Sequence, residues 1–414
     1  MESFGLWYKL TSEDSSNNES DSDKKASSSK ESKCPVFDVH VNFWSEDICI
    51  SKTAKKYKKN PTRPYLDIGI KIFNWTQLQN ITFHCPFKVE KSHLKDLSSV
   101  LKQKEIEELV FNENCTPMSQ DFFCNVQVGN GDNCQYLILF PLSISMGDND
   151  LDPNVSLQDS IGYKVLKKNP ETDIVINISS FKKIISKYNY NNLKKDQHDL
   201  AIYIRFRIDS NELKNKIYFD SNPIDKSFET AFTNSRIIDF KLNEERNLST
   251  YTCLKMNRED SALAKFKAVH FLVMEPSYYD VTMLSDKKFS CRELEEKRWD
   301  EYYGTNIDTK KEHVLAYHFS QKAQDQSPST NEKGYLESFS TLIKIKSYKT
   351  NIRTIFEYIL IAIALGVLGN TVYNIFSNLF GNVKILGQKP LFLDTIIIVI
   401  CTFVIYFAGS SKKR

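Results

Sequence analysis

Apolar and polar residues alternate along much of the chain between residues 34 and 345. The clearest runs place an apolar side chain at every second position, in 37–43, 66–72, 174–178 and 202–208. A period of two is typical of a strand with one face in a core. Helical spacing is restricted to 92–111 and to a charged stretch at 292–303. We therefore predict a mainly β body, an antiparallel sandwich or barrel with a few helices.

The same patterning divides the chain into parts of different character. Residues 1–33 contain a short apolar patch at 4–8 and then mostly Ser, Asp, Glu, Lys and Asn, which predicts a disordered tail. The patch is either a first strand or a docking peptide on a flexible leash. Residues 34–345 form the β-rich body. Turn-rich stretches at 147–150 and 152–154 leave open a subdivision near 155–165 into two small β domains.

The last part, residues 346–414, contains two apolar runs at 355–380 and 391–408. A helix of about 20 apolar residues spans the hydrocarbon core of a bilayer. The short segment between the runs holds two glycines, a proline and two lysines, as expected of a turn between antiparallel helices. We therefore predict a C-terminal transmembrane hairpin of two helices in contact with membrane lipid.

Basic residues flank the outer ends of this predicted hairpin. Two basic residues lie in the turn, whereas seven lie at the outer ends of the two apolar runs. These seven are Lys344, Lys346, Lys349, Arg353, Lys412, Lys413 and Arg414. Cytosolic flanks of membrane helices carry such an excess of Lys and Arg. The sequence therefore predicts a multi-pass protein of the inner (plasma) membrane, with the β body and both termini in the cytosol.

Composition and motifs narrow the class of function. The chain has 55 basic and 52 acidic residues, a formal charge of +3, which does not indicate a nucleic-acid binder by total charge. Its nine cysteines form no C-x-x-C pair, so we expect reduced thiols and no metal site. Glycine-rich phosphate loops and nucleophile motifs are absent from the sequence. We therefore expect neither an enzyme nor a bound cofactor.

Two groups of residues are candidates for binding an anionic ligand. Arg205 and Arg207 are two positions apart in a predicted strand, so both project from the same sheet face. They require either an anion or neighbouring carboxylates, and the sequence leaves both alternatives open. The second group is a basic stretch around an aromatic residue, which is either a phosphate-binding segment or a solvated loop: Lys55, Lys56, Tyr57 and Lys58.

A polar stripe marks the first apolar run of the C-terminal part. Asn370, Asn374 and Asn378 recur every four residues and so share one helix face. Polar groups inside a bilayer are costly and normally face protein or water. The stripe either bonds neighbouring helices together or lines a pore. A single hairpin cannot enclose a channel, so the pore interpretation implies a homo-oligomer.

The basic segment before residue 355, the apolar runs at 355–380 and 391–408 and the turn between them together resemble a known arrangement. It is that of the two-span membrane effectors of bacterial anti-phage defence by nucleotide signalling, CBASS-like or Hailong-like. The resemblance covers about the last 70 residues. It implies a cytosolic domain that senses a nucleotide second messenger or oligonucleotide made by a partner nucleotidyltransferase, and hairpins that open a membrane pore. The alternative is a tail-anchored scaffold that recruits a protein partner.

Overall fold

The computed structural model describes most of the predicted β body and one long helix. The described residues are 2–11, 34–49, 64–119, 124–130, 134–142, 162–167, 170–179, 181–182, 200–221, 233–283, 289–294, 299, 302, 313–323, 334–348 and 352–380. The chain divides into two compact units. The larger comprises Met1–Asn222 and Asn234–Ser347, and the smaller comprises Pro223–Thr233 and Tyr348–Arg414.

Strands dominate the larger unit, which confirms the prediction of a mainly β body. Its largest sheet has ten strands in the described part of the chain. In spatial order these are β17 (Phe289–Glu293), β18 (Val314–Lys322), β15 (Phe266–Pro276), β2 (Val36–Trp44), β3 (Tyr65–Phe73), β11 (Leu200–Asp209), β8 (Gln135–Phe140), β7 (Cys124–Val128) and β6 (Cys115–Ser119), with β5 (Leu94–Asp96) paired to β11. Most pairs are antiparallel, but β2–β15 and β8–β11 are parallel.

Two smaller sheets accompany the ten-stranded sheet. One has five strands in the order β14 (Ala262–Leu263), β1 (Gly5–Leu10), β4 (Leu78–Cys85), β10 (Thr172–Asn177) and β9 (Tyr163–Lys167). The other has four, in the order β12 (Tyr218–Asp220), β13 (Thr233–Leu242), β19 (Phe339–Tyr348) and β16 (Tyr279–Met283). Apolar residues from all three sheets form one continuous buried core.

The alternation read from the sequence explains which face of the large sheet meets this main core. The odd positions 37–43 of β2 and the even positions 66–72 of β3 and 202–208 of β11 are buried in it. Their neighbours therefore point to the opposite face of the sheet. That opposite face is partly covered by a second apolar cluster, to which α1 (Lys104–Phe111) contributes Ile106 and Leu109, and which also includes Trp299 and Tyr302.

The N-terminus departs from the predicted tail. Gly5–Leu10 forms β1, which pairs with β4 on one side and β14 on the other. Leu6 and Trp7 are buried, because the apolar patch has enough surface to join a core. The tail assigned to 1–33 is thus wrong for its first ten residues, and the strand alternative for the patch is correct. Residues 12–33 lie outside the described residues.

Two predicted helical regions also differ from expectation. Within 92–111 only α1 is an α-helix, and Leu94–Asp96 is a strand that pairs with β11. The charged stretch at 292–303 begins inside β17, and its described residues Trp299 and Tyr302 are helical as predicted, but buried rather than on the surface. A further α-helix of the larger unit is α2 (Thr250–Arg258), which begins directly after the capping residue Ser249.

The smaller unit is described through one helix, α3 (Ile352–Phe380), which has 29 residues. It covers the first apolar run predicted at 355–380. Its described apolar side chains are between 36% and 62% exposed. None of the helices in the described part of the chain qualifies as a membrane span by length and hydropathy. The second predicted helix, 391–408, lies outside the described residues.

Candidate functional site

A cavity of about 1220 Å³ opens on the face of the ten-stranded sheet that points away from the main core. Five basic side chains line it, and these are Lys71, Arg205, Lys267, Arg292 and Lys322. The acidic side chains in the lining are Asp38 and Glu113. With the histidines neutral, five positive charges face two negative charges, so the cavity carries a net charge of +3. This balance favours anions in a concave, partly desolvated space.

The strand pattern itself brings these side chains together. Asp38, His40 and Asn42 alternate with core residues on β2, so all three point into the cavity. In the same way, His270 on β15 and His318 on β18 alternate with core residues and point into the cavity. The polar members of the alternating runs therefore form the floor of the cavity, while the apolar members build the main core.

Three histidines form a row across neighbouring strands of this floor. His40 and His270 are register partners in the parallel pair β2–β15, with ring centroids 5.1 Å apart. Nδ1 of His270 lies 2.9 Å from Nε2 of His318, and these two rings are stacked. At the other end, the hydroxyl of Tyr203 lies 3.4 Å from Nδ1 of His40. We name His40, His270 and His318 the histidine row.

The surroundings hold the histidine row in its neutral form. Partial burial lowers the pKa of His270 to about 4, and His318, Lys322 and Lys71 add to the effect. Burial, His270 and Arg205 likewise place the pKa of His40 well below its usual value. The pKa of His318 is lowered by burial and by Arg292 and Lys322. A neutral imidazole can both donate and accept a hydrogen bond, so the row offers polar contacts without charge.

Arg205 lies at the base of the cavity and is 1% exposed. Its Nε donates to the hydroxyl of Tyr302 at 2.6 Å, and its Nη1 donates to the hydroxyl of Tyr203 at 2.7 Å. Asn42, with its amide nitrogen donating to the Val41 carbonyl, accepts from Nη2 at 2.8 Å. Burial disfavours the charged form, but the surrounding oxygens, that of Asp67 included, raise the pKa of Arg205 overall. The guanidinium is therefore charged.

Glycine is required beside Arg205. Gly69 is its register partner on β3, and a Cβ at this position would lie 2.9 Å from Nη1 of Arg205 and closer still to the hydroxyl of Tyr203. Any side chain here would push Arg205 and Tyr203 out of their positions. This glycine on β3 thus makes room for the polar contacts of the cavity base.

Arg207 has a different environment from Arg205. Its register partner is Asp67, and the two form a bidentate ion pair with Nε–Oδ1 at 2.6 Å and Nη2–Oδ2 at 3.0 Å. Trp44 and Tyr302 also donate to Oδ2 of Asp67, each at 2.8 Å. Burial would raise the pKa of Asp67, but Arg207 and the other donors hold it below its usual value. This cluster is buried and does not line the cavity.

The structure bears differently on each residue predicted from the sequence. Arg205 and Arg207 do share one sheet face, but only Arg205 lines the cavity, whereas Arg207 is neutralised by a cross-strand carboxylate. Lys55, Lys56, Tyr57 and Lys58 lie outside the described residues. Asn370 and Asn374 are exposed on α3. Asn378 belongs to the same helix.

The sequence analysis missed the histidine row and the lysines of the cavity. The alternation in β2 was visible and already placed Asp38, His40 and Asn42 on the polar face of a strand. The parallel pairing of β2 with β15 is what brings His270 and His318 beside them. β2 and β15 begin about 230 positions apart in the sequence, and a local sequence pattern does not predict which distant strands pair.

Comparison with known proteins adds no assignment for this site. No known protein family matches the sequence, and no curated protein matches it either.

Proposed function

We propose that the chain is a ligand sensor whose β body binds an anionic, nucleotide-like molecule in the cavity of the ten-stranded sheet. The observation that carries this proposal is the lining of five basic against two acidic side chains around a volume of about 1220 Å³. Cavities that hold small ligands usually measure about 300–1,000 Å³, so a nucleotide or a small oligonucleotide fits.

The parts of the cavity suit the two chemical halves of a nucleotide. Lys267 and Lys322 are exposed and can turn toward phosphate oxygens, and Lys71 and Arg292 belong to the same lining. The neutral histidine row, with the half-buried ring of Phe111 in the lining, offers flat surfaces on which a base can stack. Lys and Arg contacts to phosphate make binding depend strongly on salt.

The second half of the proposal assigns the C-terminal part to the membrane. Large apolar side chains are exposed along α3, and the sequence continues into a further apolar run at 391–408. Such surface is costly in water and favourable in lipid. We propose a two-helix hairpin in the inner (plasma) membrane that assembles as a homo-oligomer, with the β body in the cytosol. Asn370, Asn374 and Asn378 would then line or gate a pore.

In this proposal the protein is a membrane effector of anti-phage defence. A nucleotide signal, made by a partner nucleotidyltransferase, would bind the cavity and open the pore. The tail-anchored scaffold remains the alternative, since exposed apolar helices serve as an anchor equally well. Replacing Asn370, Asn374 and Asn378 together by leucine distinguishes the membrane effector from the scaffold. It should abolish ligand-triggered ion flux from an effector in vesicles, and it should leave membrane recruitment by a scaffold unchanged.

The binding half is tested with the full-length protein in detergent. Isothermal titration calorimetry should detect binding of nucleoside triphosphates or cyclic dinucleotides, weakening as salt rises. Lys322→Glu should reduce the affinity about tenfold or more, because it replaces attraction by repulsion at the cavity. Lys164→Glu is the matched control, since Lys164 is exposed on β9 and does not line the cavity. Equal affinity in both variants would contradict the assignment of the cavity.

A further inference from the structure

The histidine row places three titratable imidazoles on the floor of the cavity. His40, His270 and His318 all line the cavity and are half-buried, so a ligand can reach them. The 2.9 Å contact between Nδ1 of His270 and Nε2 of His318 already joins two of the rings. Two adjacent imidazoles share such a hydrogen bond only if at least one nitrogen of the pair accepts. The His270–His318 pair therefore keeps this hydrogen bond with no more than one extra proton.

Every element around the row contributes charged or titratable groups. The nearest cationic groups are Lys71 on β3, Arg205 on β11, Lys267 on β15, Arg292 on β17 and Lys322 on β18. The groups that are anionic or can become so are Asp38 on β2, Glu113, Cys34, Cys291, Tyr335 and, beside His40, Tyr203. Positive charge prevails, and together with burial it keeps protons off the row.

An anion in the cavity would reverse that balance. It would neutralise the field of the lysines and arginines and would itself attract a proton to the nearest imidazole. We propose that binding of an anionic ligand in this cavity is coupled to proton uptake by the histidine row, so that affinity increases as pH falls below neutrality. This inference rests on the proposed function, because it assumes that the cavity binds anions.

The sign of the effect follows from linkage. In the free protein His270 is neutral above its pKa of about 4, and the pKa values of His40 and His318 also lie below the ordinary value. The ligand-bound protein holds an imidazolium up to a higher pH, so the complex binds more protons than the free protein does. Affinity then rises by up to about tenfold per pH unit for each proton taken up, between the free and the bound pKa values.

The test uses the full-length protein and inositol hexasulfate, whose sulfate esters keep the same charge between pH 5 and pH 8. Calorimetry should show affinity about tenfold or more higher at pH 5 than at pH 7. Titrations in buffers of different ionisation enthalpy should show a net uptake of protons on binding. His270→Gln should weaken both effects, while His93→Gln, which alters a histidine outside the cavity, should retain them.

The outcomes separate the two proposals. Proton uptake that disappears in His270→Gln supports the inference. Binding with the same affinity at every pH and no proton uptake overturns the inference and leaves the proposed function standing. No binding of inositol hexasulfate at any pH from 5 to 8 overturns both. Because proton uptake is measured on the wild-type protein, a variant that fails to fold does not remove the test.

Discussion

Two arginines on one strand, two residues apart, have opposite roles in this molecule. Arg207 forms an ion pair with Asp67, and Trp44 and Tyr302 also donate hydrogen bonds to this carboxylate in a buried cluster. Arg205 faces Gly69 instead, and all its hydrogen-bond partners in the described part of the chain are neutral. On the same strand, Arg207 thus forms an ion pair with a carboxylate, whereas Arg205 has no carboxylate among its hydrogen-bond partners in the described part of the chain.

The residue across the strand pair decides this difference. The carboxylate of Asp67 forms an ion pair with Arg207, which is therefore buried with its charge neutralised. Gly69 instead leaves space for the guanidinium of Arg205, which is held by hydroxyl groups. Burying a charge without a paired counter-charge is expensive. A cavity with a surplus of such charge is therefore a place where an anionic ligand gains binding energy.

The largest expected effect comes from breaking the matched pair. Arg207→Ala leaves the Asp67 carboxylate buried with only Trp44 and Tyr302 as donors among the contacts described above. We expect the free energy of unfolding to fall by about 3–5 kcal/mol. Chemical denaturation monitored by tryptophan fluorescence measures it. The double variant Arg207→Ala/Asp67→Ala should recover part of the loss, and a simple sum of the two single losses would contradict the pairing.

Glu275 is a buried acid that, unlike Asp67, forms no ion pair with a neighbouring base in the described part of the chain, so we expect it to make the stability depend on pH. Burial, with Asp47 and Glu46 nearby, raises the pKa of Glu275 to about 8. The folded state therefore binds the proton of Glu275 more tightly than the unfolded state does. This group's contribution to stability is complete below its ordinary pKa and is lost as pH rises through about 8.

Glu275→Gln should remove that pH dependence. At pH 9 the variant should be more stable than the wild type by about 2–4 kcal/mol, because the uncharged amide needs no proton to remain buried. At pH 5 the two proteins should differ much less. Denaturant midpoints from pH 5 to pH 9 measure the difference. A wild-type stability that rises between pH 7 and pH 9 relative to the variant would be inconsistent with a protonated Glu275.

The glycine beside Arg205 should have a smaller but specific effect. Gly69→Ala places a methyl group against Nη1 of Arg205 and the Tyr203 hydroxyl, so we expect a loss of about 1–3 kcal/mol in stability. Gly366→Ala is the control, since nothing lies within 4 Å of the added methyl group on α3. Thermal unfolding compares them. An equal shift of the midpoint in both variants would mean that the close approach at Gly69 has no energetic weight.

The sequence predicted the strands of the main core well and the site only in part. Period-two runs located β2, β3, β10 and β11 because one face of each is apolar. The same pattern placed Arg205 and Arg207 on one face, but it could not distinguish them. Their difference depends on the strand register that sets Asp67 opposite Arg207, which is a tertiary property. The histidine row depends in the same way on the parallel pairing of β2 with β15.

Protection of a cavity cysteine tests the central claim most directly. Cys291 is exposed and lines the cavity, whereas Cys253 is half-buried on α2 and does not. Maleimide labelling of the full-length protein, resolved by mass spectrometry, gives a rate at each site. With a bound nucleotide at saturation, the account predicts slower labelling of Cys291 and an unchanged rate at Cys253. Unchanged labelling of Cys291, while calorimetry shows the nucleotide bound, would place the ligand elsewhere and contradict the account.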